Sequence, residues 1–158
     1  MSWSTCEFFN QPSLNTDVCW HQISLVDNEG NYLKTSCIIN SSQNSFQAEQ
    51  MCIRNGMSLF EINNSTVQSA FFTSTSDALR DFPGGFVWVN GRRDPDPDNF
   101  WFARNPRRVP LYDEINWVNT ESIDGRNSGD CLRFKSQHGL FRAMGVACST
   151  TAWINCEY

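Results

Sequence analysis

Apolar residues recur along this chain at two spacings, and the switches between them mark its elements. Ile23 and Leu25, then Tyr32 and Leu33, flank the turn Asn28-Glu29-Gly30-Asn31. That pattern predicts a hairpin between Cys19 and Cys37, with glycine available for positive φ. Ala48, Met51 and Cys52 follow helical spacing, so a helix is expected from a cap at Ser45 to Asn55. Gly56 then stands where a left-handed C-terminal cap belongs. Met57 to Ile62 reads as a short strand. Ser65-Thr66-Val67-Gln68 has the form of a capping box, and the helix behind it places Val67, Ala70, Phe71, Ser74 and Ala78 on one face. Pro83-Gly84-Gly85 breaks the chain.

Beyond that break the apolar runs are short. Phe86-Val87-Trp88-Val89 is continuous, as in a buried strand. From Gly91 to Asn116 the chain is polar and proline-rich, with Trp101-Phe102-Ala103 as its strand-like piece. Leu132 and Phe134 alternate with Arg133 and Lys135, a half-buried strand, and Leu140 to Ala147 and Ala152 to Cys156 supply two more. Helices early and strands late predict an α+β fold, two helices packed against largely antiparallel sheet. The irregular stretch between Gly91 and Cys131 exceeds ordinary loop length, which marks it as functional or specially braced.

Composition narrows the class. The 158 residues suit one domain, and a chain of that size buries roughly 68–70% of its unfolded surface. Aromatics at 13% exclude disorder. No apolar run approaches the ~18 residues of a membrane span. A net charge of −5 argues against a nucleic-acid binder held by phosphate contacts.

Seven cysteines stand at Cys6, Cys19, Cys37, Cys52, Cys131, Cys148 and Cys156. No C-x-x-C occurs, and His21 and His138 lie at no ligand spacing from a cysteine, so no metal site is offered. Disulfides are the simpler reading and place the protein outside the cytosol, although free buried thiols are the alternative. Three sequons, at Asn40, Asn63 and Asn64, agree with secretion as a glycoprotein. Met1 to Trp20 lacks an apolar and a basic segment, so it does not read as a signal peptide, and a mature chain is expected. Seven is odd, and Cys6, near the terminus, is the candidate for a free thiol or an intermolecular link to a second copy.

Together these landmarks resemble a C-type lectin-like domain of the long form. Ser45 to Cys52 followed by Gly56-Met57-Ser58-Leu59 is similar to the family's first-helix cysteine and its Gly-x-x-Leu. Phe86 to Gly91 resembles the buried Trp-Ile-Gly-Leu strand, with Val89-Asn90-Gly91 departing from it. Asn99-Phe100-Trp101-Phe102 and Tyr112 to Trp117 resemble the two tryptophan segments around the long loop. Gly129-Asp130-Cys131-Leu132 resembles Glu-Asp-Cys-Val, and Ala152 to Glu157 matches the closing aromatic-Ile-x-Cys-Glu. The resemblance covers residues 37 to 157. It implies a domain over 19–158 behind an extension over 1–18, with pairs Cys19–Cys37, Cys52–Cys156 and Cys131–Cys148. Secreted invertebrate members are closer in form than vertebrate receptors.

Sugar-binding members carry Glu-Pro-Asn or Gln-Pro-Asp in the long loop and Trp-Asn-Asp before the third conserved cysteine, because calcium takes about six to eight oxygens. Here Glu121-Ser122-Ile123 fills the first position, and Ala143 to Ala147 precede Cys148. Glu121 and Asp124 read as loop acids that cannot hold calcium tightly alone. Asp94-Pro95-Asp96-Pro97-Asp98 lacks the glycine and glutamate of an EF-hand and reads as a stiff acidic turn. No nucleophile, metalloprotease or phosphate-loop motif occurs, so no enzyme and no cofactor are expected.

Recognition remains. Arg92, Arg93, Arg104, Arg107 and Arg108 are five of the twelve basic residues, interleaved with Phe100, Trp101 and Phe102. Arginine and aromatics are enriched at interface hot spots, although Trp101 and Phe102 also read as core and some arginines as partners of the aspartates. The expected ligand surface comprises those arginines with Glu121 and Asp124. It would take an extracellular protein, a glycoprotein or structural matrix protein included, independently of calcium. Calcium-independent binding of acidic polysaccharide on the arginine cluster is the second reading, and an oligomer-forming module linked through Cys6 is the third.

Overall fold

A computed structural model of the chain describes residues 16–75, 86–94, 100–103, 108–118, 125–137 and 140–158. Cys6, Arg104, Arg107, Glu121, Asp124, Ala78, His138, the Pro83-Gly84-Gly85 break and most of the acidic proline turn lie outside them.

After a 3-10 turn over Thr16–Val18, strand β1 (His21–Val26) turns back into β2 (Tyr32–Gln43) as the expected hairpin. Asp27 closes the turn. Its carboxylate accepts from the backbone N–H of Glu29 and of Asn31, each at 2.9 Å, and these bonds hold its pKa below the ordinary value.

Helix α1 (Ser45–Arg54) begins one residue earlier than expected. Asn44, not Ser45, is the cap. Its side chain accepts from Gln47 N at 2.8 Å while the Gln47 side chain accepts from Asn44 N at 3.2 Å. Asn caps as well as Ser, and the choice buries Ser45 against Cys148. Gly56 has φ 76°, as its capping position requires. Helix α2 (Ser65–Thr75) repeats the shift, because Asn64 Oδ1 accepts from Val67 N at 2.9 Å. The Ser65–Gln68 capping box therefore does not form. Gln68 reaches away instead, accepting from Asn116 N at 2.9 Å.

The Met57–Ile62 strand shrinks to β3 (Ser58–Leu59). Phe60 then inserts between two strands, its N–H donating to Asn155 O and its carbonyl accepting from Asn90 N. Strands β4 (Phe86–Asp94), β5 (Phe100–Ala103), β6 (Val109–Pro110), β7 (Cys131–Gln137), β8 (Leu140–Val146) and β9 (Ala152–Glu157) follow. The sheet order is β1-β2-β9-β4-β5-β6, with β3 on β9 and β7 between β4 and β8. The sheet is largely antiparallel, as expected, with one parallel pair between β9 and β4. The polar stretch after Gly91 also carries more sheet than its composition suggests, because β4 continues to Asp94 and pairs with β5.

Two apolar layers cover the sheet. In one, α2 packs Phe71 against Phe60 and Phe134 at centroid distances of 5.0 and 5.6 Å, all three rings buried. Burying such a side chain is worth roughly 1.5–3 kcal/mol. In the other, α1 presents Ala48 and Cys52 to Cys37, Leu59, Trp88 and Ile154. Trp88 Nε1 donates to Gln43 O at 2.7 Å, satisfying its one polar atom inside that layer. Three disulfides close the fold: Cys19–Cys37, Cys52–Cys156 and Cys131–Cys148.

Lys34 Nζ meets Glu157 Oε2 at 2.9 Å and donates to Glu61 O at 3.0 Å, while Glu157 Oε1 accepts from Glu61 N at 2.8 Å. The Glu61 carboxyl takes no part in that ring of bonds. Burial raises its pKa, Lys34 opposes the rise and Glu157 adds to it. A raised folded-state pKa means that the folded chain holds the proton more tightly than the unfolded chain, so stability falls as pH rises through the carboxyl's range. Glu61→Gln is expected to raise the melting temperature at about pH 7 and to give no gain near pH 3.5, where the carboxyl is protonated in both states. Thermal melts at the two pH values check this.

Candidate interaction surface on the long-loop side

Past Trp88, strand β4 leaves its regular register with β7 and resumes pairing only where Arg92 faces Cys131. The freed end of β4 takes β5 as its other neighbour, pairing Arg92 with Phe102, Arg93 with Trp101 and Asp94 with Phe100. Residues directly opposite in an antiparallel pair share a face. One face therefore carries Arg92, Asp94, Phe100 and Phe102, and the other carries Arg93 and Trp101.

The Arg93 face points inward and anchors the excursion. Arg93 Nε and Nη2 both reach Asp130 Oδ1 at 2.9 Å, and Nη1 donates to Arg126 O at 3.3 Å. Only 13% of the Arg93 side chain is exposed, so it serves as a strut between β4 and the entry to β7. Trp101 packs against Trp117 with ring centroids 5.0 Å apart and planes inclined at 49°, and donates from Nε1 to Arg126 O at 3.3 Å. Close approach beneath the indole depends on Gly145 of β8. A Cβ there would stand 2.6 Å from Gly129 O and 2.8 Å from Trp101 Cζ2.

The opposite face is open. Phe100 stacks on Phe102 with centroids 6.4 Å apart and planes within 14°. The Arg108 guanidinium lies 3.9 Å over the Phe102 ring and 3.6 Å from Asp94 Oδ2. Pro110 of β6 stands opposite Phe102. Phe100 remains 43% exposed and the Arg108 side chain 58%. An ion pair this exposed contributes at most about 1 kcal/mol, and the cation–π contact with the ring beneath adds an amount of similar size.

The structure thus separates the expected site arginines by role. Arg93 braces the excursion, Arg108 lies on its outer face, and Arg92 takes the outer row of the register. Asp94, expected in an acidic turn, instead ends β4 and pairs with Arg108, as some of the arginines were expected to pair with the aspartates; Pro110 joins the surface although it was not singled out. The signal for Asp94 was the alternation Arg93-Asp94 against Phe100-Trp101, which becomes legible once β4 and β5 are known to pair. Among the described residues no group of three His, Cys, Asp or Glu side chains is placed to hold a metal ion. The three sequon asparagines are exposed on other elements, Asn40 on β2 and Asn63 and Asn64 ahead of α2. A shallow groove of about 570 Å³ between the β1–β2 turn and α2, lined by Val26, Asp27, Glu29, Ser65, Ser69 and Thr73 among others, was not foreseen.

Human lithostathine superposes on this chain with a TM-score of 0.62 at 15% identity, over 78% of this chain and 90% of that one. Ovocleidin-17, a major protein of the Gallus gallus eggshell calcified layer, gives 0.60 at 16%, over 85% and 95%. TC14, a C-type lectin from the tunicate Polyandrocarpa misakiensis, gives 0.56 at 20%, over 78% and 95%. No protein-family model and no curated protein matches the sequence. At these identities the likeness establishes the fold, which is that of a C-type lectin-like domain.

Gly145→Ala forces either a backbone shift at Gly129 or displacement of the Trp101 ring. Overpacking of this kind costs about 1–3 kcal/mol, and a chain of this size loses roughly 2–4 °C per kcal/mol. The melting temperature of the variant is expected to fall by several degrees with a change in near-UV circular dichroism from the displaced indole.

Proposed function

We propose that this C-type lectin-like fold is a secreted recognition module that binds an extracellular protein, independently of calcium, through the outer face of β4, β5 and β6. The observation that carries the reading is the Phe100–Phe102–Arg108 stack, exposed above an anchored layer of Trp101, Trp117, Arg93 and Asp130. Aromatic and arginine side chains dominate interface energetics. An excursion already ordered from beneath loses less entropy on binding. Arg108 offers a planar donor to a carboxylate of the partner, in exchange for its exposed contact with Asp94.

Calcium independence rests on the residues themselves. Glu121-Ser122-Ile123 replaces a ligand tripeptide with one carboxylate and an aliphatic side chain, and Ala143-Met144-Gly145 offers no side-chain oxygen before Cys148. Three disulfides suit an oxidising compartment, and among the described residues no helix is long and apolar enough to cross a membrane. The chain carries no catalytic motif, so binding rather than catalysis is its activity.

The test is capture from extracellular extract on the immobilised full chain, with calcium and with EDTA. The same protein is expected in both eluates. Phe100→Ala combined with Arg108→Ala is expected to weaken its binding at least ~30-fold, the effect of losing about 2 kcal/mol at a hot spot. The melting temperature should change little, because both side chains are largely exposed. Loss of capture in EDTA, or unchanged affinity in the variant, would overturn the reading.

A further inference from the structure

A second surface, on strands outside the proposed protein-binding face, gathers positive charge in a chain whose net charge is −5. In the β4–β7–β8 register, Phe86 stands opposite Lys135 and Lys135 opposite Arg142; in the next row Trp88 stands opposite Arg133 and Arg133 opposite Met144. Opposed residues share a face, so Arg133, Lys135 and Arg142 project from the same side of the sheet. The Arg133 guanidinium lies 3.8 Å over the Phe86 ring, and Lys135 Nζ lies 5.6 Å from the same centroid.

These three cations differ from Lys34, Arg93 and Arg108, each of which meets a carboxylate. None of Arg133, Lys135 and Arg142 has an acidic partner among the described residues. Arg133 Nε is buried with no hydrogen-bond partner among the described residues, and burial lowers the Arg133 pKa, which signals a guanidinium held against its solvation preference. Like charges directly opposite on neighbouring strands, as Lys135 and Arg142 are, destabilise a sheet. An anion bound beside the terminal nitrogens of Arg133 and between Lys135 and Arg142 would offset the cost of the poorly solvated guanidinium and of the facing like charges.

We propose that this face of β7 and β8 binds a sulfated polysaccharide. With strands about 4.8 Å apart and alternate residues about 7 Å apart along a strand, the three cations stand at intervals that suit a polymer carrying repeated anionic groups. β7, which carries two of them, is paired on both edges by β4 and β8. A peptide therefore cannot dock here by adding a strand to β7, the mode in which main-chain hydrogen bonds supply the affinity. Side-chain cations alone make the contact, and they select a polymer whose charges hang outside its backbone. Sulfate oxygens accept the bidentate guanidinium bonds that Arg133 and Arg142 can donate. The site uses none of the residues of the protein-binding reading and stands or falls apart from it.

The experiment is titration of the full chain with a heparin decasaccharide, with the fully desulfated decasaccharide and with a poly-glutamate peptide in parallel. Heparin is expected to bind with an affinity that falls steeply as salt rises, as counterion release requires, and both controls to bind at least ~10-fold more weakly. Lys135→Gln with Arg142→Gln should lower heparin affinity at least ~10-fold while leaving the melting temperature close to that of the parent; either single substitution, with a smaller loss, serves if the pair does not fold. Phe100→Ala with Arg108→Ala should leave heparin affinity unchanged. Absence of heparin binding, equal binding of poly-glutamate, or loss of affinity in the Phe100/Arg108 variant alone would overturn the assignment.

Discussion

The central position of β9, the last strand of the chain, is the constraint on which the rest of this structure depends. Its six residues pair antiparallel with β2 and β3 and parallel with β4, so the sheet has no continuity across its middle without them. Ile154, Asn155 and Cys156 are all buried, because β9 is covered on both faces. Cys156 binds Cys52 of α1, a cross-link over a sequence separation of 104. On the chain-entropy account a bridge of that span stabilises by about 4.7 kcal/mol. Glu157 then ties the same strand to Lys34 of β2 and to the backbone of Glu61. The two ends of the described chain meet in one seam, and both apolar layers are built against it.

A rigid centre makes irregular surfaces affordable at the flanks. β4 enters the seam beside β9 with Val87 and Trp88 and leaves it with Arg92, Arg93 and Asp94, which recruit β5 and β6 as a platform. That platform is held by side chains rather than by a long ladder. The Trp101–Trp117 contact and the Arg93–Asp130 pair sit beneath it, and the aromatic–arginine stack sits on top. On the other side of β4 the regular β7–β8 hairpin lines up its cations in rows. One surface is a braced excursion with an aromatic core and the other a row of cations on regularly paired strands, so they suit different kinds of ligand.

Much of this was legible in the chain. The hairpin around Gly30, the two helical faces, the buried Phe86–Val89 run and the late strands follow from local periodicity, because each element buries one side of itself whatever its neighbour. The cysteine frame became readable through the family resemblance, not through spacing alone. The helix starts were misplaced by one residue for a local reason: Asn44 and Asn64 precede equally good caps at Ser45 and Ser65, and only the tertiary setting decides that Ser45 is buried and Gln68 is engaged by Asn116.

Strand pairing was not legible, and the functional surfaces depend on it. Sequence order places Arg92, Arg93 and Arg108 in one basic segment, whereas the β4–β5 register sends Arg93 inward to Asp130 and leaves Arg108 over Phe102. It likewise separates Arg142 from Lys135 by seven positions, and only the β7–β8 register sets them face to face. The sequence by itself determined the two helices, the hairpin, the main strands and the absence of calcium-ligand tripeptides, since these are properties of neighbouring residues. Which strand lies beside which, and therefore which charges meet an acid and which remain together without one, was decided by the tertiary structure, because the side chain opposite a residue belongs to a strand that local sequence does not specify.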